Sequence, residues 1–205
     1  MVSPPRKLFV EGGGNQNDAL KTECRRAFTA LLEKAGFKGH MPRVVACGGR
    51  RNAYEQFCTA IRGGEAAILL VDSEAPVAAE DPWQHVAQRP GDEWERPAGA
   101  TEGHLHLMVQ CMEAWFLADR RTLGDFFGQG FHENSLPAAT CVPEDLDKLD
   151  LYRRLEQATR RTKTKGAYDK GKHAFKLLAR LDPDLVRKAG GWAERFFATL
   201  DRLMK

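Results

Sequence analysis

Short apolar runs alternate with amphipathic segments over residues 7–72. Residues 7–11 (KLFVE), 43–47 (RVVAC) and 66–72 (AAILLVD) are continuous apolar runs, which predicts buried strands. Between them, apolar residues recur at helical spacing over 18–35 and 52–61. The βαβαβ order with continuous apolar strands predicts an α/β fold whose parallel sheet is covered by helices on both faces.

The remaining chain predicts a long loop followed by helices. Residues 75–103 are rich in Pro, Gly and acids, which indicates a long irregular loop of the kind that often serves function. Residues 105–119 (LHLMVQCMEAWFLAD) fit either a strand leading to a helix or one helix, and periodicity does not decide between them. Helices are predicted at 144–160, 170–181 and 191–204. We therefore expect an α/β domain over 1–140 and a basic helical extension packed on it over 141–205.

Composition limits the class of protein. A chain of 205 residues with 42% hydrophobic content can bury a core of its own. Its apolar runs are far shorter than the roughly 18 residues that span a bilayer, so no membrane contact is expected. The N-terminal segment lacks the apolar region of a leader peptide, and a cytoplasmic location is expected. The five cysteines are scattered without CxxC spacing, which favours reduced thiols.

The formal net charge of +3 hides an asymmetry along the chain. Residues 1–71 carry +5, residues 72–150 carry −11 and residues 151–205 carry +9. An acidic centre can hold cations and a basic end can hold phosphates, so the pairing favours a nucleic-acid substrate. A solvated basic helical face is the alternative.

Acidic residues follow two of the predicted strands. Glu11 ends the first strand before a glycine turn, and Asp72 and Glu74 end the third. Because the carboxyl ends of parallel strands meet at one edge of the sheet, these acids should crowd together. Mg²⁺ or Mn²⁺ with hard oxygen ligands would offset the repulsion. The alternative is that Asp72 and Glu74 merely lie in a strand-to-loop turn.

These residues resemble TOPRIM domains, found in topoisomerases, primases and overcoming-lysogenization-defect nucleases. There, one strand ends in Glu-Gly and a later strand ends in Asp-x-Asp. The segments LFVEGGG, RVVACGGRRNAYEQFC, LLVDSE and HLMVQCMEAWFLAD, with the stretch from Tyr168, are closer still to a TOPRIM-related bacterial family of unknown function. The resemblance covers nearly the whole chain. It implies a TOPRIM-like, Rossmann-like parallel sheet flanked by helices.

The resemblance also implies an activity and its ligands. Glu11, Asp72 and Glu74 would bind one or two Mg²⁺ or Mn²⁺ ions and hydrolyse phosphodiester bonds in DNA or RNA. Glu74 stands where the TOPRIM pattern has Asp. Because a Glu side chain is longer, we expect the geometry of the metal site and its metal preference to differ from those of TOPRIM domains. Glu113 resembles the further acid of nuclease-type TOPRIM proteins and would be a catalytic ligand of a second ion, with Asp119 as a less favoured helper. The alternative for Glu113 is an ion pair with an arginine on a helix.

Basic residues supply candidate phosphate contacts. Lys170 and Lys172 are the candidates for stabilising the pentavalent phosphate. The predicted substrate-binding residues are Arg50, Arg51, Lys163, Lys165, Tyr168 and His173. The two arginines follow glycines at a predicted helix N-terminus, where free N–H groups attract anions, although a plain turn and cap explains them equally well. His104 and His106 alternate as zinc ligands might, but they have no partners at zinc-finger spacing.

Three functions fit the sequence. The first is a metal-dependent nuclease. Small TOPRIM-like proteins of this kind are similar to ones encoded beside ATPases in phage-defence loci, which implies an ATPase partner and a role in antiviral defence. The alternative is a non-catalytic TOPRIM-like regulatory or binding subunit of such an ATPase. A nucleotidyl or small phosphoester transferase is a remoter choice, and the sequence leaves a homo-oligomer open.

Overall fold

A parallel sheet forms the centre of the protein. The computed structural model describes residues 7–204, so residues 1–6, in which the sequence predicts no leader, lie outside the described residues. The strands are β1 (Lys7–Val10), β2 (Arg43–Ala46), β3 (Ala67–Asp72) and β4 (Leu105–Met108). They pair in parallel in the order β2-β1-β3-β4. The predicted α/β fold with a parallel sheet flanked by helices is confirmed.

Helices cover both faces of this sheet. The α-helices are α1 (Asp18–Leu32), α2 (Arg50–Arg62), α3 (Pro82–Gln88), α4 (Arg120–Phe127), α5 (Lys148–Thr159), α6 (Lys170–Leu178), α7 (Pro183–Arg187) and α8 (Gly191–Met204). A π-helical turn, Glu33–Phe37, continues α1, and 3₁₀ turns span Glu102–His104, Met112–Ala118, Glu133–Ser135 and Pro143–Asp145. Within residues 7–204, none of the helices has the length and apolar character needed to cross a membrane.

Successive strand residues point to two separate cores, as the pleat requires. Leu8 belongs to a core that includes Phe28 of α1 and Phe196 of α8. Phe9 points to the opposite face and packs in a core with Phe57 of α2. The helices after residue 141 therefore cover one face of the sheet and share its core.

The segment 75–103 is not wholly irregular, contrary to the prediction. It contains α3, because Asp81 accepts a hydrogen bond from the backbone N–H of Trp83 (2.9 Å) and Pro82 occupies the first turn. Trp83 is buried against the sheet. The helix has only seven residues, too few for a periodic signal.

Two other short helices, α4 and α7, were not predicted. Each begins after an aspartate cap, Asp119 and Asp182 respectively. The segment 105–119 forms β4 and then the 3₁₀ helix, so the strand-first alternative is the one that the chain adopts.

Hydrogen bonds join the glycine turns after β1 and β2. The N–H of Gly12 donates to the carbonyl of Gly48 (2.8 Å), and the N–H of Gly48 donates to the carbonyl of Gly12 (3.0 Å). Gly48 has a φ of 78°, and a Cβ there would lie 2.6 Å from the carbonyl oxygen of Gly14. Only glycine fits this position, because both the conformation and the space exclude a side chain.

We expect Gly48→Ala to lower the free energy of unfolding more than Gly64→Ala does. Gly64 has a similar φ of 75°, but a Cβ there meets nothing within 4 Å. Gly64→Ala should therefore lower the free energy of unfolding by about 1 kcal/mol, from backbone strain alone. Gly48→Ala adds an overlap with backbone and should cost roughly 1–3 kcal/mol more. Urea denaturation of both variants measures the difference. An equal loss of unfolding free energy in the two variants would contradict the close approach of the glycine turns after β1 and β2.

Candidate metal centre

Three carboxylates meet at the carboxyl edge of the sheet. Glu11 follows β1, and its N–H donates to the carbonyl of Leu70 (3.1 Å) in β3. Asp72 ends β3, and its N–H donates to Oε2 of Glu11 (3.2 Å). One carboxylate oxygen from each of Glu11, Asp72 and Glu74 lies within 4.8 Å of the others. The parallel pairing of β1 with β3 thus brings together the acids that the sequence placed at two strand ends.

Unusual backbone conformations position Glu74. Glu74 and Gln110 have φ values of 64° and 57°, a left-handed region that residues other than glycine rarely adopt. The N–H of Glu74 donates to the carbonyl of Gln110 (3.1 Å), and the N–H of Gln110 donates to Oγ of Ser73 (2.7 Å). These bonds join the turns after β3 and β4 and compensate the strain, which is typical of functional sites.

Burial and mutual repulsion raise the pKa values of two of the acids. The pKa of Asp72 lies well above its ordinary value because the carboxyl is buried and because Glu11 is close, while Lys170 opposes the rise. Burial also raises the pKa of Glu11, with a further contribution from Glu74, and Arg50 opposes it. Ionised carboxylates at this edge therefore need nearby positive charge.

Three helices each supply one cation to these acids. Arg50 at the start of α2 has Nη1 3.6 Å from Oε2 of Glu11. Lys148 at the start of α5 donates from Nζ to Oε2 of Glu74 (2.6 Å). Lys170 at the start of α6 has Nζ 3.9 Å from Oδ2 of Asp72.

Arg50 is held rigidly by the segment 75–103. Its Nε donates to Oδ1 of Asp92 (2.8 Å), its Nη2 donates to Oδ2 of the same residue (2.5 Å), and Cζ lies 4.6 Å from the ring centroid of Trp94. Nη1 also donates to the carbonyl of Asp72. The side chain of Arg50 is only 11% exposed, so its contacts with Glu11 and with the backbone of Asp72 are made inside the protein. Arg51, by contrast, is 80% exposed and pairs with Glu55.

Glu113 is fully buried beside the three acids. The hydroxyl of Tyr152 donates to Oε2 (3.0 Å) and the hydroxyl of Tyr168 donates to Oε1 (3.0 Å). Nζ of Lys170 lies 3.5 Å from Oε1. Within residues 7–204, the partners of Glu113 are therefore two tyrosines and a lysine, and no arginine of this range pairs with it as the alternative interpretation expected. These bonds satisfy a carboxylate whose burial would otherwise be costly.

A cavity of about 430 Å³ opens beside the cluster. Its walls combine two of the acids, Lys170, apolar side chains and bare glycine turns; the lining residues are Glu11, Gly12, Gly13, Gly14, Leu20, Gly48, Gly49, Asp72, Met112, Lys170, Gly171 and Phe175. Such a volume is typical of sites for small molecules or for one unit of a larger ligand.

The predicted basic turn lies between α5 and α6 and leads into Lys170 and Gly171, which line the cavity. Lys163 and Lys165 are exposed there, and Nζ of Lys165 lies 4.8 Å from the ring centroid of Phe126. Lys172 is 76% exposed and has Nζ 3.7 Å from Asp169. In the described part of the chain, Lys170 lines the cavity, and Lys163, Lys165 and Lys172 do not.

Two predicted site residues have contacts typical of structural roles. His173 is buried, and its Nδ1 accepts a hydrogen bond from the N–H of Asp169 (3.0 Å). Asp119 caps α4 by accepting from the N–H of Thr122 (3.0 Å), and it also accepts from the N–H of Asp182 (3.0 Å). Both polar groups are occupied by the backbone, which favours packing and capping over ligand binding.

Sequence reasoning missed Lys148, Tyr152 and Asp92, each of which contacts a residue of the site. Lys148 and Tyr152 lie in a helix that the sequence did predict, but nothing in its periodicity shows which face meets Glu74 and Glu113. The acidic segment containing Asp92 was suspected of function, yet no spacing pairs Asp92 with Arg50. Only the tertiary fold brings these residues to the site.

The fold and the site define an α/β protein with a carboxylate cluster at the carboxyl edge of a parallel sheet. A family model described as a domain of unknown function, DUF4276, matches residues 10–201, so the chain belongs to that family. No curated protein and no solved structure matches the chain. The matched region contains the whole carboxylate cluster.

We expect Asp72→Asn to stabilise the protein in the presence of a chelator. The folded-state pKa of Asp72 is raised, so its ionised form costs folding free energy at neutral pH, and this cost is relieved as the pH falls through the raised pKa. Asparagine removes the charge, and its Oδ1 can still accept the N–H of Met112, as Oδ1 of Asp72 does at 2.8 Å. The gain should be on the order of 1 kcal/mol, or roughly 2–4 °C in Tm.

Thermal unfolding at neutral pH measures this change. Asp125→Asn is the matched control, because Asp125 is 75% exposed and its replacement should leave Tm nearly unchanged. A lower Tm for Asp72→Asn than for the control would contradict the account of crowded charge.

Proposed function

We propose that the protein is a Mg²⁺- or Mn²⁺-dependent nuclease that hydrolyses phosphodiester bonds in DNA or RNA. The observation that carries the proposal is the convergence of Glu11, Asp72 and Glu74, whose carboxylate oxygens lie within 4.8 Å of one another beside a cavity. Three carboxylates are a hard oxygen donor set, which suits these cations and leaves positions for water and substrate phosphate.

The residues around the cavity suit a phosphodiester. A bound divalent ion supplies an activated water and stabilises the leaving oxygen. Lys170 lines the cavity with a side chain 54% exposed, so its ammonium can contact a phosphate oxygen. The glycine turns after β1 and β2 carry no side chains and allow the substrate backbone to approach closely.

Surface charge supports a polynucleotide as the substrate. Residues 151–205 carry a net charge of +9, and the exposed Lys163 and Lys165 lie in the turn that precedes the cavity-lining Lys170, while the exposed Lys172 follows Gly171 in the chain. Basic groups beside a phosphodiester site bind the flanking phosphates. The resemblance to TOPRIM nucleases, including ones encoded beside ATPases, adds an ATPase partner and a role in antiviral defence to the proposal.

Cleavage assays test the proposal directly. Purified protein is incubated with supercoiled plasmid, linear DNA and RNA in Mg²⁺, Mn²⁺ or chelator, and we expect metal-dependent cleavage. Asp72→Asn should lose at least about a hundredfold in rate, because a metal ligand is removed. Asp125→Asn is the matched control and should retain the wild-type rate.

Two results would overturn this proposal. Equal cleavage by Asp72→Asn would place the activity at another site or in a contaminant. Nucleic-acid binding without cleavage, unchanged in Glu11→Gln and Asp72→Asn, would indicate a non-catalytic binding subunit.

We expect Lys148→Met to tighten Mn²⁺ binding. Nζ of Lys148 lies 2.6 Å from Oε2 of Glu74, so an incoming ion must compete with the lysine for this carboxylate. Removing it should strengthen binding by roughly three- to tenfold, as expected for an ion pair of about 1 kcal/mol. Calorimetric titration with Mn²⁺ measures the change, and Lys163→Met, an exposed lysine, is the control. Weaker binding would mean that Lys148 orients Glu74 for the ion.

A further inference from the structure

Glu113 differs from the three clustered acids in what surrounds it. Its side chain has no exposed surface, whereas the side chains of Glu11, Glu74 and Asp72 are 18%, 25% and 7% exposed. Each of its carboxylate oxygens accepts a tyrosine hydroxyl, from Tyr152 and Tyr168, at 3.0 Å. Both of its oxygens are thus already engaged by hydroxyl groups of the protein itself.

Contacts with Tyr152 and Glu113 restrain the side chain of Lys170. Nζ donates to the hydroxyl of Tyr152 (3.1 Å) and lies 3.5 Å from Oε1 of Glu113 and 3.9 Å from Oδ2 of Asp72. An ammonium has three N–H donors, and one of them is used in the hydrogen bond to Tyr152, while the contacts at 3.5 and 3.9 Å are longer ion pairs. Because the side chain also lines the cavity, Lys170 keeps donor capacity toward a ligand there.

Lys172, on the same helix, has fewer partners than Lys170 and serves as a comparison. It lies two residues further along α6, is 76% exposed and pairs with Asp169 at 3.7 Å, three residues before it in the sequence. Exposed pairs of this kind restrain a side chain weakly. A cation that stabilises a developing charge works best when it is already in place, so the contacts of Lys170 have catalytic value that those of Lys172 lack.

We infer that Glu113, with Tyr152 and Tyr168, is a positioning group that holds the Lys170 ammonium at the cavity for contact with a substrate phosphate oxygen, and that it is not a ligand of a second metal ion. The catalytic part of this inference rests on the proposed function. Glu113 acts through Lys170 and does not touch the substrate.

Lysine acetylation tests the positioning without any need for activity. The protein is treated with a limiting amount of an acetylating reagent, and modification of each lysine is followed by mass spectrometry. Lys170 should react about fivefold more slowly than Lys172, since its ammonium is held in a network of partners. Glu113→Gln and Tyr152→Phe should remove most of that difference. Equal rates for Lys170 and Lys172 in the wild-type protein would overturn the inference.

A double-mutant cycle tests the catalytic part. Lys170→Met should lower kcat by about a hundredfold with little change in KM. Glu113→Gln should lower kcat as well, but Glu113→Gln combined with Lys170→Met should be within about threefold of Lys170→Met alone. Effects that multiply would mean that Glu113 acts independently of Lys170. Tyr152→Phe replaces Glu113→Gln in the cycle if thermal unfolding shows that the latter is not folded.

Mn²⁺ affinity separates positioning from metal binding. Calorimetric titration should give Glu113→Gln an affinity within about threefold of wild type, while Asp72→Asn loses binding. A loss of tenfold or more in Glu113→Gln would identify Glu113 as a ligand and overturn the inference. A wild-type protein that binds Mn²⁺ but cuts no DNA or RNA would refute the proposed function and the role in catalysis, and the acetylation rates would still decide whether Glu113 holds Lys170.

Discussion

Repulsion among carboxylates at the carboxyl edge of the sheet is the constraint on which the site depends. Parallel pairing of β1 and β3 leaves Glu11 and Asp72 side by side, and Glu74 brings a third oxygen within 4.8 Å. At an effective dielectric constant of about 20, two charges so close repel by roughly 3 kcal/mol or more. The fold can keep these acids ionised only by placing cations around them, and α2, α5 and α6 each deliver one.

The three cations are held to different degrees. Arg50 is fixed by hydrogen bonds to Asp92 and by stacking on the face of Trp94, so its position does not depend on the acids alone. Lys148 donates directly to Oε2 of Glu74, one of the three clustered acids. Lys170 is restrained by its ion pair with Glu113 and lines the cavity. If the proposed metal ion binds this cluster, it would therefore compete with Lys148 for Glu74, while Arg50 and its partners would not have to move.

The uneven charge along the chain follows from this arrangement. The acidic stretch 72–150 supplies Asp72, Glu74 and Glu113, whereas the basic stretch 151–205 supplies Lys170, which contacts Asp72 and Glu113. The C-terminal helices also complete the core on one face of the sheet. They are therefore part of both the hydrophobic core and the carboxylate cluster's surroundings.

The amino-acid pattern alone predicts β1, β2, β3, the longer helices and the meeting of Glu11 with Asp72, because apolar periodicity and parallel strand order act locally or by simple rules of topology. It leaves β4 open between a strand and a helix. It missed the short helices α3, α4 and α7, whose few residues give no period. Only the tertiary structure decided that Arg50 binds Asp92 and that Glu113 binds two tyrosines. Those contacts depend on which faces of distant segments pack together, and a single sequence carries no local signal for that choice.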